Sequence, residues 1–205
     1  MRIYQLLRGL AQRHSVTCLS FAPDEAAAEA LSVLRGVADI QVVLGPAARS
    51  LSRRALTTLA SMQPDMALRN QSAAYSVALK QLLEKRSFDI IQAESIEMAP
   101  YVLEIARSTL AAPAMLILDQ FNVEYVLQKR AALTSLQAAT MANVRPATRL
   151  RQGAAALYSF AQWFKLKRFE RQALQRLPAI VAVSTEDAAI FRGLSPQARI
   201  GVVPN

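Results

Sequence analysis

The sequence predicts an α/β domain in which helices cover both faces of a mostly parallel sheet. Residues 114–118 (AMLIL) form an unbroken apolar run, which is typical of a short strand buried on both faces. Segments with strand and helix character alternate along the chain, as strand–helix–strand crossovers require. Polar residues directly follow three of the strands, and open sheets of this kind bind ligands at the carboxyl ends of their strands. We therefore expect a three-layer, Rossmann-like domain whose functional face is that edge.

The predicted elements follow one another without an internal repeat or a long linker. The first is an amphipathic helix with apolar residues at helical spacing, and Pro23-Asp24 begins the second. Breaks are predicted at Gly45-Pro46 and Pro64-Asp65. Six strands are predicted, at 16–22, 40–44, 88–94, 114–119, 179–184 and 199–203. Helices are predicted at 2–14, 24–34, 50–61, 71–85, 96–110, from Tyr125 onward, and at 154–177.

Length and composition limit the class of protein to which this chain can belong. A chain of 205 residues buries a core without disulfides or metals. The single cysteine, Cys18, is expected to be a small buried side chain, and the single histidine, His14, to meet solvent or helix carbonyls. No group of His and Cys suggests a metal site, and no apolar run approaches the ~18 residues of a membrane-spanning helix. The net charge of +9 favours an anionic partner.

The region from Lys129 to Arg176 carries ten basic residues and one acid, with aromatic residues interleaved. One interpretation is a helix that packs an apolar stripe into the core and exposes a solvated basic face. The other is a surface that rests on anionic lipid headgroups or binds phosphate. For the membrane interpretation, the predicted contact residues are Trp163, Lys165, Lys167, Arg168 and Arg171, and Phe160, Trp163 and Phe164 are expected to insert as a wedge between the headgroups. No nucleic-acid recognition motif accompanies the charge, so nucleic acid is not an expected partner.

Polar residues at the strand ends are the candidate ligand-binding groups. They are Glu94, Asp119, Asn122, Glu124, Ser184 and Asp187. An ionised carboxylate accepts hydrogen bonds strongly, which suits a ligand rich in hydroxyl groups. The alternative is that these residues cap the helices that follow, and Ser184 with acids in the next turn fits a helix N-cap well. No catalytic triad and no glycine-rich phosphate loop is present, so no catalytic residue is assigned.

Five motifs together resemble the N-terminal domain of family 4 glycosyltransferases. They are FDIIQAE (88–94), LILDQFNVEY (116–125), KLKRFERQAL (165–174), AIVAVSTEDAAIF (179–191) and RIGVVPN (199–205). The resemblance implies one half of a GT-B fold that binds the acceptor, while a C-terminal domain binds the nucleotide-sugar. It implies retaining transfer to a polysaccharide or lipid-linked acceptor at the cytoplasmic, inner face of the plasma membrane. It implies no cofactor besides the nucleotide-sugar co-substrate, and it adds Phe121 and Asn205 to the substrate-binding residues.

The chain also departs from the family pattern. We expect residues 1–205 to lack the family's first strand, its glycine-rich loop and its nucleotide-sugar domain, and therefore to transfer no sugar alone. Phe121 stands where many relatives carry a histidine that contacts the donor sugar, and phenylalanine cannot make that hydrogen bond. The alternative to an enzyme domain is a non-catalytic α/β binding or scaffold domain at an anionic membrane surface.

Overall fold

The computed structural model describes residues 2–46, 48–110, 112–140 and 146–204, and within them it confirms the predicted α/β class. The strands are β1 (Thr17–Ala22), β2 (Asp39–Leu44), β3 (Ile90–Glu94), β4 (Met115–Gln120), β5 (Ala179–Ala182) and β6 (Ile200–Val202). The helices are α1 (Arg2–Ala11), α2 (Glu25–Ala30), α3 (Leu51–Ala60), α4 (Asp65–Arg69), α5 (Ala73–Lys85), α6 (Ala99–Ile105), α7 (Glu124–Thr140), α8 (Pro146–Arg176) and α9 (Thr185–Leu194), with a 3-10 helix at Leu31–Gly36.

All strand pairs are parallel, but the strands lie in two sheets and not in the one sheet we expected. The larger sheet has the order β3-β4-β5-β6, which confirms β4 as an interior strand. The smaller sheet contains β1 and β2. Within the described ranges, no strand ladder joins β1 to β3. An apolar run predicts that a strand is buried, but it does not specify which strand is its neighbour.

A buried group of aromatic residues connects the two sheets. Tyr75 of α5 donates its hydroxyl to the Leu19 carbonyl of β1, with 3.0 Å between the oxygens. Its ring centroid lies 4.4 Å from that of Phe21 in β1 and 4.5 Å from that of Tyr101 in α6. Because α6 packs against the larger sheet, Tyr75 links both sheets through one side chain.

Helices α7 and α8 form a long antiparallel hairpin. The chain leaves the carboxyl end of β4 into α7 and returns through α8 to the start of β5. Helix α8 has 31 residues and is about 46 Å long, whereas a strand such as β4 spans about 20 Å. Glu170 bonds to the first turn of α7, so only the last turns of α8 lie beside the sheet. The rest of the hairpin therefore extends beyond the carboxyl edge.

The main core lies between the larger sheet and the helices α6, α8 and α9. Its most deeply buried side chains include Leu118, Ile180 and Phe191. The predicted buried stripe on α8 is confirmed, since Leu166, Phe169, Ala173 and Leu177 are all buried. A second, smaller core beside β1 and β2 contains Leu7, Ala38 and Ile40. Each sheet therefore packs against a hydrophobic core of its own.

Candidate functional site

Two of the predicted polar residues lie side by side at the carboxyl edge of the larger sheet. Glu94 is the last residue of β3, and Asp119 is the last but one of β4. The two are direct neighbours across the ladder, and Ser95 follows Glu94 in the chain. Ser95 donates its N–H to the Asp119 carbonyl at 2.8 Å and has a φ of 72°. A left-handed conformation at a residue other than glycine is uncommon, and here it turns the chain out of the sheet directly beside the two carboxylates.

Asp119 is held by a residue that the sequence did not single out. Arg2, at the start of α1, donates to both oxygens of the Asp119 carboxylate, at 3.2 and 2.9 Å, and to the carbonyls of Val203 and Pro204. Asp119 is only 1% exposed. Burial raises the pKa of its carboxyl, and the opposing effect of the Arg2 guanidinium is smaller. Asp119 therefore binds α1 to the edge, and a ligand hydroxyl would compete with Arg2 for its oxygens.

Glu94 has one carboxylate oxygen without a hydrogen-bond partner among the described residues. Its Oε1 accepts a hydrogen bond from the Gln92 side chain at 2.7 Å. Its Oε2 is buried and has no hydrogen-bond partner among the described residues. Burial raises the pKa of Glu94, the Gln92 bond opposes this shift, and the nearby Asp119 carboxylate adds to it. A ligand hydroxyl that donates to Oε2 would satisfy a buried acceptor, whose desolvation otherwise costs free energy.

The start of α7 contributes a second group to the edge. Asn122 is exposed and donates its side-chain N–H to Glu124 Oε1 at 3.2 Å, and Phe121 beside it is partly buried. Burial raises the pKa of Glu124 more than its bond with Asn122 lowers it. Behind them lies Glu170, which the sequence analysis did not assign. It is fully buried, and its Oε1 accepts the Tyr125 N–H at 3.1 Å.

Ser184 acts as a helix cap, which confirms the structural interpretation of its pattern. Its hydroxyl accepts the N–H of Asp187 at 3.0 Å, at the start of α9. The acids of that first turn face the positive end of the helix, where negative charge is favourable. Asn205, the last predicted substrate-binding residue, lies outside the described residues.

Two of the five predicted membrane-contact residues do not point to solvent. The Lys165 ammonium donates to the Thr58 carbonyl of α3, Lys165 is 7% exposed, and burial lowers its pKa. Trp163 is partly buried, with the Lys129 ammonium 5.6 Å from its ring centroid. Helical spacing predicted which residues share a face of α8, but not that α3 covers one face and α7 another. Lys167, Arg168 and Arg171 are exposed, as the prediction requires.

Helix α8 also carries an exposed apolar stripe. Leu150, Leu157 and Phe164 are 78%, 74% and 59% exposed. They are seven residues apart, which places them on one face of the helix. The exposure of Leu157 and Phe164 is against the interpretation of a core-packed stripe at these positions, and the exposure of Phe164 agrees with the membrane interpretation. On α3, Leu51 and Leu59 are 80% and 87% exposed. Exposed apolar surface of this extent is typical of an interaction site.

Comparisons with known proteins complete the description of the site. Residues 1–205 match the model of the family described as glycosyl transferase 4-like domain. No individual curated protein matches the chain. In the part of the chain that the structure describes, no helix is long and apolar enough to cross a membrane, and no group of three or more His, Cys, Asp or Glu side chains could hold a metal ion.

Proposed function

Because the chain belongs to the family of glycosyl transferase 4-like domains, we propose that residues 1–205 bind the acceptor in a transfer from a nucleotide-sugar that retains the anomeric configuration. The acceptor is a growing polysaccharide or a lipid-linked sugar. A second domain of the GT-B type binds the donor and stabilises the leaving phosphate, so residues 1–205 alone transfer no sugar. No cofactor beyond the nucleotide-sugar takes part.

The observation that carries this proposal is the unsatisfied Oε2 of Glu94 at the carboxyl edge. A sugar hydroxyl is a suitable donor for it, since a carboxylate is acceptor-only when ionised. The exposed amide of Asn122, also at this edge, can both donate to and accept from further hydroxyls. Sites that bond to hydroxyl groups discriminate strongly against ligands that lack them, because their buried polar groups are then left unpaired.

We test this with Glu94→Gln, which replaces one carboxylate oxygen with an N–H donor. The probes are the methyl glycosides of N-acetylglucosamine, galactose and mannose, and saturation-transfer NMR measures their binding. We expect the parent chain to bind at least one of them and the variant to bind it about tenfold more weakly, equivalent to roughly 1.4 kcal/mol. The same samples, given UDP-glucose or GDP-mannose, should form no new glycoside.

Glu186→Gln is the matched control, because Glu186 is an exposed glutamate at the start of α9. It should bind the glycosides as the parent does. Binding that is equally strong in the Glu94 variant, or absent from the parent for all three probes, would count against an acceptor site at this edge.

A second candidate function is attachment to an anionic membrane surface, either for the enzyme or for a non-catalytic scaffold. The exposed stripe of Leu150, Leu157 and Phe164 continues along α8 towards the exposed cations Arg168 and Arg171. Apolar side chains flanked by basic residues are typical of helices that lie in the membrane interface. This surface includes Phe164 of the predicted wedge, and we propose that it rests on the inner face of the plasma membrane.

Vesicle sedimentation tests the membrane candidate. The parent chain should sediment with vesicles that contain phosphatidylserine but not with pure phosphatidylcholine, and salt should release it. Changing Lys167, Arg168 and Arg171 together to Gln should reduce the binding constant about 100-fold, since each cation near such a surface contributes about 1 kcal/mol. Changing Arg8, Arg13 and Arg35 to Gln removes the same charge elsewhere and should have a much smaller effect. If both triple variants bind equally, net charge and not this surface attracts the vesicles.

A further inference from the structure

A groove between the outer parts of α7 and α8 has the size and lining of a site for a small apolar ligand. Its volume is about 610 Å³. Leu136 of α7 and Leu150, Leu157 and Phe160 of α8 form its walls, and Gly153 leaves space between them. Small-molecule sites have volumes of ≈ 300–1,000 Å³, and this groove lies within that range.

The lining of the groove excludes a polar ligand body. Among the described residues that line it, Arg149 is charged and the others are apolar or glycine. A sugar placed against these walls would find few hydrogen-bond partners among them, so they offer it little to replace the bonds to water that it loses on contact. A hydrocarbon chain loses none, and its burial is favourable in proportion to the apolar area removed from water. The geometry therefore suits an alkyl or isoprenyl chain.

The charge of the hairpin favours one sign of charge on the headgroup that such a chain would carry. Between residues 125 and 176 the sequence carries a single acid, Glu170, and that residue is 0% exposed. The described outer surface of the hairpin is therefore cationic, with Arg149 beside the groove and Lys167, Arg168 and Arg171 further along α8. An anionic headgroup complements this surface, and a cationic one is repelled.

We propose that the groove holds the hydrocarbon chain of an anionic lipid taken from the membrane on which the hairpin rests. This inference builds on the proposed membrane attachment and names the ligand that the same surface takes. Leu150 and Leu157 belong both to the exposed stripe and to the groove, so a chain can pass from the bilayer into the groove without crossing water. The hairpin would then present the headgroup of that lipid beyond the carboxyl edge that carries Glu94.

Gly153→Leu is the variant that tests the groove. A Cβ at Gly153 meets no heavy atom within 4 Å, so the larger side chain fills the groove without a clash at its base. Replacing a glycine inside a helix with leucine also favours the helix, so the variant should fold. Gly9→Leu is the matched control, because Gly9 lies in α1, also has open space around its Cβ, and is remote from the groove.

The probe is dodecyl phosphate below its micelle concentration, with 12-bromododecyl phosphate to report position. Trp163 is the single tryptophan of the chain, and its ring lies 6.2 Å from that of Phe160 in the groove wall. Bromine on a chain seated in the groove should therefore quench its fluorescence. We expect saturable quenching in the parent and in Gly9→Leu, and at least tenfold weaker binding in Gly153→Leu. Inorganic phosphate should not compete, and dodecyl maltoside should bind more weakly than dodecyl phosphate.

Vesicle sedimentation of the same proteins separates this inference from the proposed attachment. Sedimentation with anionic vesicles but no binding of dodecyl phosphate overturns the groove proposal and leaves the attachment standing. Binding of the probe without sedimentation supports the groove and contradicts the attachment. Equal binding by Gly153→Leu and the parent overturns the groove proposal. A further outcome is a parent dimer that binds no probe and that Gly153→Leu dissociates into monomers. That result overturns the groove proposal too, because the groove is then an interface between two copies of the chain.

Discussion

At the scale of single residues, Glu170 makes the stability of this domain depend on pH. Burial raises the pKa of its carboxyl from 4.5 to about 8, which outweighs the effect of the Tyr125 N–H. Between these values the folded state keeps a proton that the unfolded state has lost. Rising pH therefore favours unfolding, and this one group lowers the free energy of unfolding by up to about 1.4 kcal/mol per pH unit.

Glu170→Gln should remove that dependence, because its amide resembles the protonated carboxyl and can still accept the Tyr125 N–H. Urea unfolding of parent and variant from pH 5 to pH 9 measures it. As the pH rises from 4.5 to about 8, we expect the free energy of unfolding of the parent to fall relative to that of the variant. Glu104→Gln, a substitution at an exposed position of α6, is the control for the chemical change from glutamate to glutamine. A difference that stays constant with pH would mean that Glu170 is not protonated in the folded domain.

At the scale of elements, the sequence predicted those features that depend on a few neighbouring residues. The run at 114–118 became the interior strand β4, and Ser184 capped α9, because burial on both faces and capping are encoded within a few residues. The limits of helices were less exact. Helix α8 begins at Pro146 and not at 154, and proline is favourable in a first helical turn.

The candidate site was predictable only where it follows directly from strand ends. Glu94, Asp119 and Glu124 lie where the apolar runs placed them. Arg2 could not be found, because it reaches Asp119 across 117 positions and stands in an ordinary helical pattern. Lys165 was misplaced for a similar reason. Its position on α8, three residues before Arg168, predicted that both side chains share an exposed face. The sequence does not show that α3 covers Lys165.

At the scale of the whole molecule, the domain consists of two sheets that share no ladder within the described residues. Tyr75 connects them through its bond to Leu19 and its contacts with Phe21 and Tyr101. Arg2 connects them a second time, since α1 packs beside the smaller sheet while Arg2 bonds to Asp119 in the larger one. Arg86, at the end of α5, adds exposed bonds to Thr17 and Asp39 of the smaller sheet. Units joined by individual side chains and not by a ladder can open separately, each with its own free energy.

Tyr75→Phe should therefore loosen the smaller sheet more than the larger one. It keeps the stacked ring but leaves the Leu19 carbonyl without its donor, at a cost of about 1–3 kcal/mol. We expect amide hydrogen exchange to become roughly tenfold faster or more in β1 and β2, with little change in β4 and β5. Tyr4→Phe, which removes the hydroxyl of a tyrosine that is 42% exposed, is the control and should change neither sheet. Equal acceleration in all four strands would show instead that the two sheets unfold as one cooperative unit.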